Sequence, residues 1–458
     1  MLRYIGPFLR MNKLSIDQIQ SQLFHLAKES IKSLVLSSKF GIVIDHKKLN
    51  LKNLPRTDIN TLKSISPLLC VYKKSSAKLK NKNNKLCWDD GKQKKDINIF
   101  SNGYMTLSLL ELVDYYKTFK NIDEKKYNMS ILYTEIARNQ LEFFVSHMRD
   151  ESGLFVDKKD STDPLTGKIQ LKPKNKPFRF SEQALLMNAF YKCSNFLEGD
   201  IKDAFKTFSL DILKMFFDFK DELYNISFSE KCNLCFNLNV FYTYSQMEEV
   251  KPLLLDIFDL IYEEYNTLLK DSITDISLMY LNSAMLFEHT NMFKFKKISD
   301  KLLESLLEYY NEDLGIFVKE SEDKDIKFSS EEIVLYLTSL LYNLSSNDID
   351  EKIICNIFKY QLVDSGVVLS WPDIPTLDDV EHYKNFESKP ENLLDDQYFK
   401  MANIQTPELA ELAPVFIKNV TFSRSSNTFK ASKSTFDSRK NFNLFFLILH
   451  LLNKTSQN

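Results

Sequence analysis

Apolar residues recur along this chain at spacings of three and four, the pattern that lines one face of a helix, and the stretches alternate between two kinds. After Ser181 come Leu185, Ala189, Phe190, Cys193 and Leu197; after Ser329 come Ile333, Leu337, Leu340, Leu341 and Leu344. Stretches of this sort predict six inner helices near 101–118, 181–197, 229–246, 274–289, 329–345 and 437–452. The last is apolar almost all round, as a helix walled in on every side should be. Between them the pattern predicts six more highly charged, outer helices near 15–35, 126–148, 202–219, 250–268, 297–310 and 350–361. In the fifth of these, Leu302, Leu303, Leu306, Leu307 and Tyr310 form a stripe against Lys301, Glu304 and Glu308. The order is outer then inner, six times over.

Four of the inner stretches share a starting signal: a hydrophobe, then a Ser or Thr, then an apolar residue four positions on. This is the hydrophobic staple around an N-cap. It occurs as Phe100, Ser101 and Met105; Phe180, Ser181 and Leu185; Ile273, Thr274 and Leu278; and Phe328, Ser329 and Ile333. Ser329 has Glu332 three residues on, which completes a capping box. Phe228 with Ser229 and Phe436 with Asp437 are weaker copies. Connections from inner to outer are short, whereas those from outer to inner include 37–100, 149–180, 311–328 and 362–436. In an antiparallel ring the long connections share one face, and the inner helices begin there with their positive dipole ends toward it.

Three of those connections carry a common turn where the outer helix stops. Asp150-Glu151-Ser152-Gly153-Leu154-Phe155 matches Glu312-Asp313-Leu314-Gly315-Ile316-Phe317, and Asp364-Ser365-Gly366-Val367-Val368 is a fainter copy. A glycine suits the left-handed residue that ends a helix. Such turns ahead of a staple resemble those of the six-hairpin toroid superfamily, which holds many glycoside hydrolases and the sugar 2-epimerases. The resemblance implies an all-α fold, an (α/α)6 toroid of six helical hairpins with long loops on one face. It implies one domain over 1–458, with 37–100 and 362–436 as long inserts on the active-site face, and a small carbohydrate or glycan as ligand. The alternative architecture is an open helical-repeat array; six pairs of unequal length favour the closed ring.

Composition narrows the picture. The apolar fraction is 44%, the charged fraction 27% and the net charge −2, so no global field calls for nucleic acid or an anionic membrane as partner. Nine glycines and 12 prolines favour long helices over a turn-rich β protein. The strongest apolar run, Phe442 to Leu452, is too short to span a bilayer, and Met1 to Leu14 has no signal-peptide pattern. A soluble cytoplasmic protein is expected, its six scattered cysteines reduced. Cys232 and Cys235 form a C-x-x-C on an inner helix without a second pair or a histidine at zinc spacing, and no phosphate-cradling glycine loop occurs. Neither metal nor cofactor is therefore expected. Tyr72 to Lys95 holds nine lysines and no arginine, which reads as a solvated, disordered insert.

The long loops hold the candidate chemistry. One carries Trp88, Asp89 and Asp90, the next Asp150, Glu151, Asp157 and Arg179, and the last Trp371, Asp373, Asp378, Asp379, Glu381 and His382. Both tryptophans lie in this set, and a flat ring beside carboxylates can stack on a sugar while its hydroxyls are bound. Hydrolysis of a glycosidic bond needs two flanking carboxyl groups, one protonated and one ionised. Asp90 and Asp373, each close to a tryptophan, are the expected catalytic pair, with Trp88, Trp371, Asp150, Arg179 and His382 as substrate contacts. The bland alternative is that these acids cap helices and face water. A non-catalytic binding or scaffold protein with a protein partner is the second reading. Epimerisation is the third: the resemblance assigns its proton transfer to histidines, and His46, His147 and His382, which could reach this face, match no motif of that family.

Overall fold

The computed structural model describes residues 15–45, 49, 65–82, 85–89, 93–163, 167–174, 177–268, 272–319, 323–342, 349–373, 375–376, 379–383 and 412–455. Its helices are α1 (Ile16–Ser37), α2 (Ile99–Lys117), α3 (Glu124–His147), α4 (Phe180–Ser194), α5 (Gly199–Asp218), the short α6 (Lys220–Tyr224), α7 (Phe228–Ser245), α8 (Val250–Leu268), α9 (Ile273–Thr290), α10 (Phe293–Leu307), α11 (Ser330–Leu341), α12 (Glu351–Asn356) and α13 (Ser438–Thr455). The turns after α12 widen into a π-helix, Ile357–Val363. The inner helices are α2, α4, α7, α9, α11 and α13. Each packs against the next, and α13 packs against α2, so the ring closes and the open-array alternative is removed. Burial accounts for their composition: every residue of α4 from Ser181 to Ser194 is buried, whereas outer α5 buries only Phe205, Ser209, Ile212, Leu213 and Phe216.

Helix starts differ from expectation in detail. Ser329 is the N-cap of α11 with both bonds of the capping box, its side chain accepting from the Glu332 amide at 3.1 Å while Glu332 accepts from the Ser329 amide at 2.7 Å. Ser101, Ser181, Ser229 and Thr274 instead lie inside their helices. The caps are Asn98, Arg179, Ser227 and Ser272, residues with extended backbone two or three positions earlier. Asn98, Ser227 and Ser272 accept the amide three residues on, so they satisfy an otherwise orphaned donor and fix the true first turn.

The repeated turn is built as its glycine implies: Gly153, Gly315 and Gly366 have φ of 84°, 66° and 70°. At Gly315 a side chain is excluded twice over, since a Cβ there would lie 2.9 Å from the Tyr360 ring. Each of the two full copies ends in a clamp. The Gln183 side chain accepts from the Phe155 amide at 3.1 Å and donates to its carbonyl at 2.9 Å; Gln361 does the same to Phe317 at 2.9 and 3.0 Å. Asn441 holds Phe416 likewise, at 2.8 and 3.0 Å. A primary amide imitates a neighbouring strand, which lets a loop's backbone be buried against the ring without unpaired groups.

The long connections fold into small antiparallel sheets. Asp96–Ile97 pairs with Lys158–Asp160, which pairs with Leu171–Pro173; Asp325–Ser329 pairs with Asn419–Ser423, which pairs with Thr428–Ala431. The lysine-rich segment is not the disordered insert expected. Lys74–Ser76 pairs with Thr435–Asp437, and Leu79–Lys82 with Lys85–Trp88. Alternation decides this: Ser75, Ala77 and Trp88 are buried while neighbouring lysines stay in water. The last connection also departs from a common face. After Trp371 it passes along α1, where His25 Nε2 meets the Asp373 carbonyl at 2.8 Å, and Glu381 bonds Lys28 at 2.6 Å, Lys126 at 2.7 Å and the Tyr115 hydroxyl at 2.9 Å. Those partners hold the Glu381 carboxyl well below the usual range despite burial.

Candidate active site

The first turns of α13, α2, α4 and α7 stand side by side at the mouth of the ring, and polar bonds link them. The Ser438 hydroxyl donates to that of Ser101 at 2.9 Å. Asp157, from the connection after α3, accepts the Ile99 amide at the start of α2 at 3.0 Å. Glu230, in the first turn of α7, accepts the Ser181 amide at the start of α4 at 3.0 Å. Both carboxylates thus sit on the positive ends of neighbouring helices.

Glu182, next to Ser181 on the first turn of α4, is within electrostatic reach of both. It is 7% exposed, and its carboxyl pKa is pushed up to about 7. Burial is the chief cause; the Asp157 charge adds to it, Arg439 and Arg179 oppose it, and Glu230 contributes a smaller rise. Arg439, in the first turn of α13, lays its guanidinium over the Phe100 ring at 4.3 Å. A carboxyl poised near neutrality beside a second carboxylate can give and take a proton, which is the requirement for splitting acid and base roles.

The opposite end of the axis is filled. Glu111 of α2, buried, accepts from Lys192 of α4 at 2.7 Å and lies 2.9 Å from His450 Nδ1 of α13; the Tyr244 hydroxyl of α7 donates to the same oxygen. Lys192 also reaches Asp114 at 3.1 Å and lies over the Tyr244 ring. Lys192 and His450 hold the Glu111 carboxyl far below its ordinary range against the effect of burial. Four inner helices are therefore cross-linked through one carboxylate.

The residues expected from the sequence are scattered relative to this mouth. Trp88 is 5% exposed, packed against Phe40 and Phe436, with its indole donating to Ser33 at 3.0 Å. Trp371 is 7% exposed, edge-on to Phe358. Both indoles are core, and neither face is open to stack on a sugar, because each connection needs a large apolar anchor to lie down on the ring. Asp373 is exposed beside α1 on the outer side, which separates it from the inner-helix starts. Asp150 accepts the amides of Ser152 and Leu154 and so shapes the helix-stop turn. Arg179 is at the mouth, as the N-cap of α4. Asp90, His46 and the side chain of His382 lie outside the described residues. His147 is exposed and stacked on Phe143 at the end of α3.

Sequence reasoning singled out Asp157 as a loop acid but passed over Glu182, Glu230 and Arg439. An acid in a first helical turn reads as a dipole partner, and nothing in the pattern announces that it is buried. Among the described residues no three or more His, Cys, Asp or Glu side chains are grouped to hold a metal; Cys232 and Cys235 are buried, with Cys232 Sγ 4.0 Å from Met279 Sδ. No described helix is long and apolar enough to cross a membrane.

No family model matches the sequence, and no curated protein matches it. Solved structures do. A sugar epimerase from a ruminal bacterium overlays with a TM-score of 0.55, covering 96% of this chain and 99% of its own at 10% identity. A D-mannose isomerase gives 0.55 over 97% of this chain and 100% of its own at 9% identity, and a cellobiose 2-epimerase from Spirochaeta thermophila DSM 6192 gives 0.53 over 98% of each at 8% identity. The fold is the (α/α)6 toroid. At such identities the overlay speaks for the fold alone, and the toroid's mouth has to be read from its own side chains.

Proposed function

We propose that this toroid is a carbohydrate-active enzyme that cleaves a glycosidic bond at the mouth, with Glu182 as proton donor and Asp157 as the ionised partner. The observation that carries this is the Glu182 carboxyl, buried, raised to about 7 and set beside a second carboxylate held by a helix start. Protonated, it donates to the leaving oxygen; Asp157 then activates water or meets the developing cation. The half-buried Phe180, at the start of α4, supplies apolar surface at the mouth that neither tryptophan offers. The scattered cysteines, none of them in a disulfide, support a reducing, cytoplasmic setting.

Interconversion of a free sugar is the second reading, favoured by the three overlaid structures, two epimerases and an isomerase. It would place Glu182 as the proton carrier in the role that the resemblance assigns to histidine. Among the described residues, His25, His147, His289 and His450 all stand away from the inner-helix starts that frame Glu182.

Proton NMR of the protein incubated with glycosides, oligosaccharides and free sugars separates these. The expected result is new reducing-end anomeric signals, with the rate falling as pH rises through about 7, because the acid must carry its proton. Interconversion without new reducing ends would replace hydrolysis by the second reading. Unchanged spectra throughout would leave a binding or scaffold protein.

A further inference from the structure

Building on the mouth as the carbohydrate site, we propose that the sugar bound there carries a negative charge, a carboxylate or a phosphate, and that the guanidiniums of Arg179 and Arg439 receive it. The cations around the mouth divide into two groups. Lys174 is paired with Asp96 at 2.7 Å, Lys231 with Glu264 at 2.7 Å, Lys440 with Glu331 at 2.7 Å and Lys74 with Asp437 at 3.5 Å. Among the described residues the guanidiniums of Arg179 and Arg439 have no carboxylate within 4.0 Å, the Asp437 carboxylate being bonded to the Arg439 backbone amide, although both arginines act on the Glu182 proton.

The carboxyl groups that might have neutralised them are otherwise engaged. Asp157 and Glu230 accept backbone amides at 3.0 Å, and Glu182 is held largely protonated below neutrality. The first turns of α2, α4, α7 and α13 each add part of a positive charge toward the same place. Arg439 is also pre-set: its guanidinium lies over the Phe100 ring at 4.3 Å, which restrains it beside the mouth. A guanidinium held in that way suits a planar or tetrahedral oxyanion, to which it can donate two parallel bonds. A neutral sugar would make no use of two guanidiniums without an ion-pair partner near a proton donor.

Calorimetric titration of the full chain with glucuronate, glucose 6-phosphate and glucose tests this at low and high salt. One of the two anions should bind at least about tenfold more tightly than glucose at low salt, the margin shrinking at high salt. Which anion leads tells carboxylate from phosphate. Arg439→Gln and Arg179→Gln should each reduce the margin, while Arg439→Lys retains part of it. Glucose binding as tightly as both anions, none of the three binding, or a margin untouched by both glutamine variants would each overturn the proposal. Its failure is separable from that of the reading beneath it: glycosides could be cleaved without any anionic preference, or anions preferred with no glycoside cleaved.

Discussion

Glu182→Gln is expected to slow glycoside turnover by about 10²- to 10⁴-fold and, at the same time, to make the folded chain more stable above neutral pH. The two effects share one cause. In the unfolded chain this carboxyl releases its proton near 4.5, whereas in the fold it keeps it until about 7. Between those values the folded state binds the extra proton, so stability falls as pH rises, and the whole loss is present above about pH 7. A gap of this size corresponds to about 3 kcal/mol, an order of magnitude for a buried group. Glutamine has nearly the same shape and no charge to desolvate. Denaturant unfolding should therefore show the variant gaining stability at alkaline pH and little at acid pH. A variant that lost stability at both would make Glu182 a structural acid.

The largest destabilisation is expected at the other end of the axis. Glu111→Gln leaves Lys192 and His450 buried without the carboxylate that joins them, and breaking such a network costs about 3–5 kcal/mol. Asp114, at 3.1 Å from Lys192, offsets only part of this. The pH dependence runs opposite to that of Glu182. A carboxyl held low contributes stability that is present above its ordinary pKa and is lost as pH falls below it. Replacing Glu111 and Lys192 together by Leu and Met should recover most of the loss, since two apolar groups of similar size need no partner. If Glu111→Gln melted like the wild type, the network would be incidental to the ring's stability.

The opposite behaviour of these two acids explains how much could be read from the sequence. Helix periodicity was legible because the ring buries one stripe or the whole circumference, and the spacing of Leu302, Leu303, Leu306 and Leu307 or of Ile333, Leu337, Leu340 and Leu341 says so directly. The helix-ending glycines were legible because only a left-handed residue fits the turn, and Gly153, Gly315 and Gly366 all adopt it. The serine caps were misplaced where Asn98, Ser227 or Ser272 stood just upstream, since several polar residues in succession compete for one cap.

Function was less legible, for a physical reason. Trp88 and Trp371 looked like sugar platforms because of their loops, yet a long loop laid on an apolar ring needs anchors, and indoles anchor well. Glu182 and Glu111 are both acids on inner helices. Both are buried: Glu182 is pushed up chiefly by that burial, with a second carboxylate adding to it, whereas Glu111 is held down against its burial by a lysine and a histidine. Residue type and spacing are blind to that difference, which arises from side chains brought together across the ring.

The most direct measurement is carbon-13 NMR of the side-chain carboxyls in protein labelled at glutamate, with Glu182→Gln identifying the missing resonance. That resonance should titrate near 7, well apart from the exposed glutamates. A Glu182 carboxyl that titrates with the exposed ones near 4.5 would contradict a proton donor at the mouth of this ring.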